Sequence, residues 1–206
     1  MKSEPRILRS CLVRDHAIRV DGQEVFALAE ADFNAFATKA FAAINPAYPK
    51  FYKMDGLAKL GLLAAEYLLA GIAPVSAADP YRVGAVVSNA SSSTDTDLRY
   101  AALAQQQLAS PALFVYTLPN IVIGEMCIRH GFKGENNFFV SASYNIDVQT
   151  AYTAGLFQAQ LLDYCLVGWL EFLQQQYHGF LCLIGHSAEP HLPLYSTEKV
   201  SSLFNQ

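Results

Sequence analysis

Residues 110–171 read SPALFVYTLPNIVIGEMCIRHGFKGENNFFVSASYNIDVQTAYTAGLFQAQLLDYCLVGWLE. The order predicted from this stretch is a buried helix, a tight turn, an apolar strand, a sharp elbow, an amphipathic helix and a second strand. A strand that ends in an elbow and feeds a helix N-terminus is a place where enzymes mount nucleophiles, because the helix end favours negative charge. The residue at this elbow is Ser143.

Working outward from the elbow, the apolar run Asn137 to Ser141 is the strand leading into it. Val148 to Leu162 is the helix leaving it, with Val148, Ala151, Tyr152, Gly155, Leu156 and Ala159 on one side at a 3.6-residue period. Leu118 to His130 forms the preceding helix, closed by Gly131, with Gly134 in the turn that follows. Two further apolar strands, Asp163 to Glu171 and Phe180 to Ile184, lie close enough to form a hairpin. Upstream, Arg82 to Asn89 is a short strand without alternation, the pattern of burial on both faces. Asp95 to Gln107 is a helix whose acidic first turn suits its N-terminus.

The N-terminal third begins with a ribbon, Ile7 to Val13 and Ala17 to Val25, whose register competes with an Asp21-Gly22 turn signal. Leu28 to Ile44 then has Ala29, Phe33, Phe36, Ala37, Ala40 and Ile44 on one helical face. Asn45-Pro46 and Tyr48-Pro49 stop that helix. Asp55 caps a second helix with Leu57, Leu60, Ala64, Tyr67 and Leu68 in its stripe, ended by Gly71 and Pro74. Beyond Gly185 periodicity fades, which predicts an irregular tail from about residue 186. Strands alternating with helices, then adjacent strands, predict an α/β fold with a layered mixed β-sheet flanked by helices. Residues 1–206 carry no linker that would divide them into domains.

Composition narrows the function classes. The 206 residues are 52% hydrophobic and only 16% charged, with a formal charge of −4. That balance offers no basic stripe for a phosphate backbone, so nucleic acid is not an expected partner. Glu66, Pro119 and Glu125 interrupt the apolar runs before they reach the roughly 18 residues of a membrane span. The opening MKSEPRILRS lacks an apolar core, which predicts a cytoplasmic protein without a secretory signal. Cys11, Cys127, Cys165 and Cys182 form no C-x-x-C pair and have no histidine at metal-ligand spacing, so no metal and no cofactor is expected. They read as small buried hydrophobes.

Other chemistry-bearing motifs have plainer readings. His186-Ser187 follows a strand with no helix behind it and lacks the second glycine of a nucleophile elbow. The run Ser91 to Asp97 could hold a metal through Asp95 and Asp97, but capping and first-turn charge explain it. Tyr48, Phe51 and Tyr52 read as a packed aromatic corner, with a carrier-protein surface as the functional alternative. Asp147 complements the dipole of the elbow helix.

The pieces YPKFYKMDGLAKLG, VGAVVSNASSSTDTDLRY and SPALFVYTLPNIVIGEMCIRHGFKGENNFFVS, with the elbow after them, resemble the N-terminal half of a β-ketoacyl-acyl-carrier-protein synthase of the thiolase superfamily. The resemblance runs from Tyr48 to Trp169, and its LPN and GFKGEN segments are the most specific. It implies a thiolase-like half-domain in which a cysteine at the elbow attacks an acyl thioester. Laid on that pattern, Ser141 and Ala142 precede the nucleophile, and Ser143 stands where the cysteine belongs. Tyr144, Asn145 and Ile146 replace small residues. The second half of such a synthase, which supplies two histidines, is expected to be missing.

That substitution has a physical consequence. A helix N-terminus stabilises an adjacent anion by about 0.3–1 kcal/mol, on the order of one pKa unit at most. This suffices for a thiol near about 8.5 and falls far short for an aliphatic hydroxyl, which needs a positioned base. Of His16, His130, His178, His186 and His191, none is assigned to Ser143 by spacing. The expectation is a non-catalytic accessory or partner subunit in fatty-acid or polyketide/polyene biosynthesis. The resemblance also implies dimerisation through the strand 137–141, as a homodimer or a heterodimer with a full-length ketosynthase, and contact with an acyl carrier protein. The alternative is an acyltransferase or thioesterase-like enzyme using Ser143.

Overall fold

The computed structural model describes residues 4–29, 32–44 and 47–206. The chain opens with β1 (Pro5–Arg14), β2 (Ala17–Val20) and β3 (Gln23–Ala27), followed by α1 (Phe33–Ala43) and α2 (Gly56–Leu69). A short α3 (Ala73–Ser76) precedes β4 (Val83–Asn89), α4 (Thr94–Gln105), a one-turn α5 (Pro111–Phe114) and α6 (Ile121–His130). Then come β5 (Asn136–Val140), α7 (Ile146–Gln158), β6 (Tyr164–Leu173), β7 (Gln176–His186) and α8 (Thr197–Phe204).

The strands form one seven-stranded sheet in the order β3-β2-β1-β7-β6-β4-β5. β4 pairs in parallel with both β5 and β6, whereas the β6–β7, β7–β1, β1–β2 and β2–β3 pairs are antiparallel. The sheet is therefore mixed, and it carries helices on both faces. One face packs Leu166, Leu170, Leu181 and Leu183 against Phe36 of α1, Leu60 and Leu63 of α2 and Ile123 of α6. The other packs Val86, Val167, Phe180 and Cys182 against Leu156 and Phe157 of α7 and Val200 of α8. Burial on both faces explains the unbroken apolar runs of β4, β6 and β7; all seven residues of β4 are buried.

Local chemistry sets the boundaries. Asp32 and Asp55 each accept a hydrogen bond at the head of their helices, from Ala35 N and Ala58 N. Twelve of the fourteen residues of α2 are buried, so it is a core helix rather than a one-sided one. Gly131 takes the left-handed conformation that closes α6, with φ of 75°. Phe51 is buried and stacks on Phe41 with ring centroids 3.7 Å apart, whereas Tyr48 is half-buried and Tyr52 is 50% exposed, so of the expected aromatic corner only Phe51 is fully packed. Cys11, Cys165 and Cys182 are buried free thiols, and burial pushes each well above the ordinary thiol range. Burial raises Cys127 to about 11.

Several expectations need correction. The second strand breaks at Asp21-Gly22, both left-handed, into β2 and β3; the turn signal wins over the apolar continuation. The helix expected from Leu28 starts at Phe33, because Leu28 N instead bonds to His16 O and Asp32 supplies the cap. Asn45 and Pro46 lie outside the described residues. The helix expected from Leu118 starts at Ile121. The closing hairpin is longer than read, and it turns on Gln174 and Gln175, both left-handed. Residues beyond 186 are not an irregular tail: Ile7 N bonds to Pro193 O and Tyr195 N to Pro5 O, and α8 follows with a Ser196 cap. No described helix is long and apolar enough to cross a membrane.

The largest correction concerns α7. Its buried residues are Gln149, Thr153, Leu156 and Phe157. Val148, Ala151, Gly155 and Ala159, expected on the core face, are exposed. The helix turns two polar side chains inward because the sheet offers acceptors to one of them.

Candidate functional site

β4, β5 and β6 run in parallel, so their C-terminal ends lie together, and the connections from β4 and β5 leave on opposite faces of the sheet. The crevice outside such ends is the binding position in open α/β sheets. Its walls are the turn after β4 and the elbow between β5 and α7. Ser141 N donates to Asn89 O at 3.0 Å, which holds the two walls together.

The β4 turn is fixed by its own side chains. Asn89, fully buried, accepts from Ser92 N at 2.9 Å through Oδ1 and donates to Ser92 O through Nδ2. Glu171 of β6 reaches under it and accepts from Ala90 N at 2.7 Å and Ser91 N at 3.3 Å. The expected side-chain capping of α4 needs correction: Ser93 stands at its N-cap without a capping bond, its Oγ donating instead to Thr117 O and Asp97 Oδ2. Asp95 and Asp97 put negative charge in the first turn, and Asp95 accepts from Gln174 N. Among the described residues no group of side chains is arranged to hold a metal ion.

At the elbow, helix α7 begins at Ile146 with Asn145 as its cap, accepting from Val148 N at 3.2 Å. Ser143 therefore stands two residues before the cap, not on it. The helix end is already answered by Asn145 Oδ1 and by Asp147 in the first turn, and the dipole effect fades within that turn. Ser141 Oγ donates to Ser143 O at 2.7 Å. The Ser143 residue is exposed, and none of the described residues hydrogen-bonds its hydroxyl. With Ser141, Asn145, Asp147 and residues Thr197 and Ser201 of α8, it lines an open depression of about 500 Å³.

The histidines are distributed elsewhere. His16 meets Phe36 and Tyr177 edge-on, and His130 lies beside Glu66 and Phe132. His191 pairs with Glu189. His186 sits opposite Pro5 and near Tyr164, at the far end of the sheet from the elbow. His178 is at the elbow end, but its ring lies flat on Phe204, 4.6 Å away.

Tyr144 decides what can enter behind Ser143. Its ring packs among Trp169, Phe180 and Phe204, at centroid distances of 5.5, 6.3 and 5.0 Å. Its hydroxyl donates to Gln149 Oε1 at 2.5 Å, and Gln149 Nε2 donates to Gly168 O at 3.0 Å and Ser88 Oγ at 3.3 Å. Burial holds the phenol well above its ordinary pKa, so it is a neutral donor. The space between elbow and sheet is filled by this side chain. Sequence reasoning noted Tyr144 as a bulky replacement but missed Gln149 and Glu171. The spacing Gln149, Thr153, Leu156 and Phe157 was available as a second helical face.

No protein-family model matches the sequence, and no curated protein matches it. Solved structures do. The ishigamide ketosynthase/chain length factor matches with a TM-score of 0.62 at 17% identity, over 93% of this chain and 64% of that one. A type II polyketide synthase complex, AntDE with the acyl-carrier protein AntF, matches with a TM-score of 0.61 at 13% identity, over 90% of this chain and 63% of that one. The complex of the ketosynthase ApeO with its chain length factor ApeC, from Xenorhabdus doucetiae, matches with a TM-score of 0.59 at 13% identity. There the alignment covers 99% of this chain and 91% of that one. The chain thus spans less than two thirds of the first two structures and nearly all of the third. A layered mixed sheet with these neighbours establishes a thiolase-like α/β fold, the fold of ketosynthases and chain length factors.

Proposed function

We propose that the chain is a non-catalytic partner subunit of a ketosynthase, acting in polyketide or fatty-acid type chain assembly. One observation carries the reading: an exposed Ser143, whose hydroxyl is hydrogen-bonded to no base among the described residues, stands in front of a space that Tyr144 fills. A hydroxyl without a positioned base is a poor nucleophile at neutral pH. The neighbours support the partner role, since they include a ketosynthase in complex with a chain length factor and a ketosynthase with its carrier protein.

Edge strand β5 is the proposed contact. Its outer N–H and C=O groups are open to pairing, and Val140 and Val148 beside it are 55% and 49% exposed. An unpaired edge with apolar flanks is a liability unless another strand covers it. A heterodimer with a full-length ketosynthase is the preferred assembly, a homodimer the second, with an acyl carrier protein visiting the complex.

Two measurements test the proposal. Size-exclusion chromatography with light scattering, on this chain alone and co-expressed with a full-length ketosynthase, should show a dimer in at least one case. Incubation with acyl thioesters should leave the mass of the chain unchanged. An adduct at Ser143 that disappears in Ser143→Ala would overturn the reading in favour of an acyltransferase or thioesterase-like enzyme.

A further inference from the structure

Helix α8 reaches the elbow through a single ring. Phe204 lies parallel to His178 at 4.6 Å and 11°, and edge-on to Tyr144 at 5.0 Å and to Phe180 at 5.6 Å. Parallel and edge contacts at these distances are the preferred geometries of aromatic pairs. The three walls therefore make a box shaped for a phenyl ring, and the ring in it belongs to the last turn of the helix.

Three observations mark this occupant as exchangeable. Eight residues are too few for a helix to persist undocked, so α8 is held by Val200, with Leu203 and Phe204 only partly buried. Closure also leaves a polar atom unpaired against the ring: His178, stacked on Phe204, has its Nε2 buried with no hydrogen bond. Unpaired buried polar atoms weaken the state that buries them. Finally, Thr197 and Ser201 of the same helix wall the depression at Ser143, so withdrawal of α8 would join box and depression into one cavity.

We infer that the Tyr144–His178–Phe180 box is a binding site for the aryl group of a small ligand, and that α8 is its displaceable internal occupant. The inference does not depend on Ser143 being inert. Binding requires the open state, so the apparent affinity is reduced by the fraction of molecules that are open, and removing the plug restores it.

The test uses the full chain, with 3-phenylpropanamide as probe and 3-cyclohexylpropanamide as control. Trp169, the only tryptophan, lies 5.5 Å from Tyr144 and reports occupancy by its fluorescence. In the wild-type chain the phenyl probe should change that fluorescence and raise amide hydrogen exchange in residues 197–204. Phe204→Ala should bind it at least tenfold more tightly. Ser202→Gly, which leaves the box intact and weakens only the helix, should tighten binding about twofold and serves if Phe204→Ala does not fold. A folded Phe204→Ala that ignores the probe overturns the proposal. Binding to Phe204→Ala with unchanged exchange of α8 in saturated wild type overturns displacement, and equal affinity for the cyclohexyl control overturns the aryl assignment.

Discussion

The phenol of Tyr144 and the amide of Gln149 are joined by a 2.5 Å hydrogen bond that ties the elbow to the middle of the sheet. Gln149 in turn holds Gly168 O and Ser88 Oγ, so three segments distant in sequence meet on one buried side chain. The same arrangement shuts the space behind Ser143.

Tyr144→Phe keeps the ring contacts and removes the donor to Gln149 Oε1. A buried acceptor left without a partner costs about 1–3 kcal/mol. Urea unfolding should show a lower midpoint with an unchanged slope, and an unchanged midpoint would mean that water reaches Gln149 Oε1.

Gly168→Ala tests the close approach of β6 and β7. A Cβ at that position would lie 1.9 Å from Phe180 O, a backbone atom that cannot turn aside. The substitution should destabilise by about 3 kcal/mol or more, visible as a loss of folded protein or a steep drop in melting temperature.

Gly155→Ala has the opposite sign. Gly155 is in the interior of α7, and a Cβ there would meet nothing within 4 Å. The variant should gain about 0.5–1 kcal/mol from helix propensity, read as a higher urea midpoint. A loss would place an unseen neighbour on that face.

The pH dependence of stability follows from His178. Burial, and then the charge of Arg14, lower its pKa, with Asp15 opposing. A base with a lowered folded pKa takes its proton first in the unfolded chain. Stability is therefore full above about 6.5 and is lost as pH falls toward the lowered value. His130, lowered by burial with Arg129 adding and Glu66 opposing, acts in the same direction. Urea midpoints between pH 7 and pH 5 should fall less in His178→Phe, which keeps the stack on Phe204.

The strand-elbow-helix order was legible in residues 136–158 because an apolar run, a break and a helical period succeed one another there. What misled was the choice of face on α7. Val148, Ala151, Gly155 and Ala159 make the more apolar stripe, yet Gln149 and Thr153 go inward. Gln149 is accepted in the core because Gly168 O, on a strand nineteen residues later, accepts a hydrogen bond from its Nε2. No local period can announce a distant acceptor. Likewise the segment after His186 looked irregular because α8 is short and gains its order from docking on Phe180 and Tyr144.

The sequence by itself determined the α/β layering, the position of the elbow and the serine in it, because these follow from hydrophobic runs, turn residues and the identity of one side chain. Only the tertiary structure decided that Asn145, not Ser143, caps the helix, that Tyr144 fills the space behind it, and that α8 closes over both. Those outcomes depend on contacts between residues far apart in the chain, where packing and hydrogen-bond satisfaction outweigh local propensity.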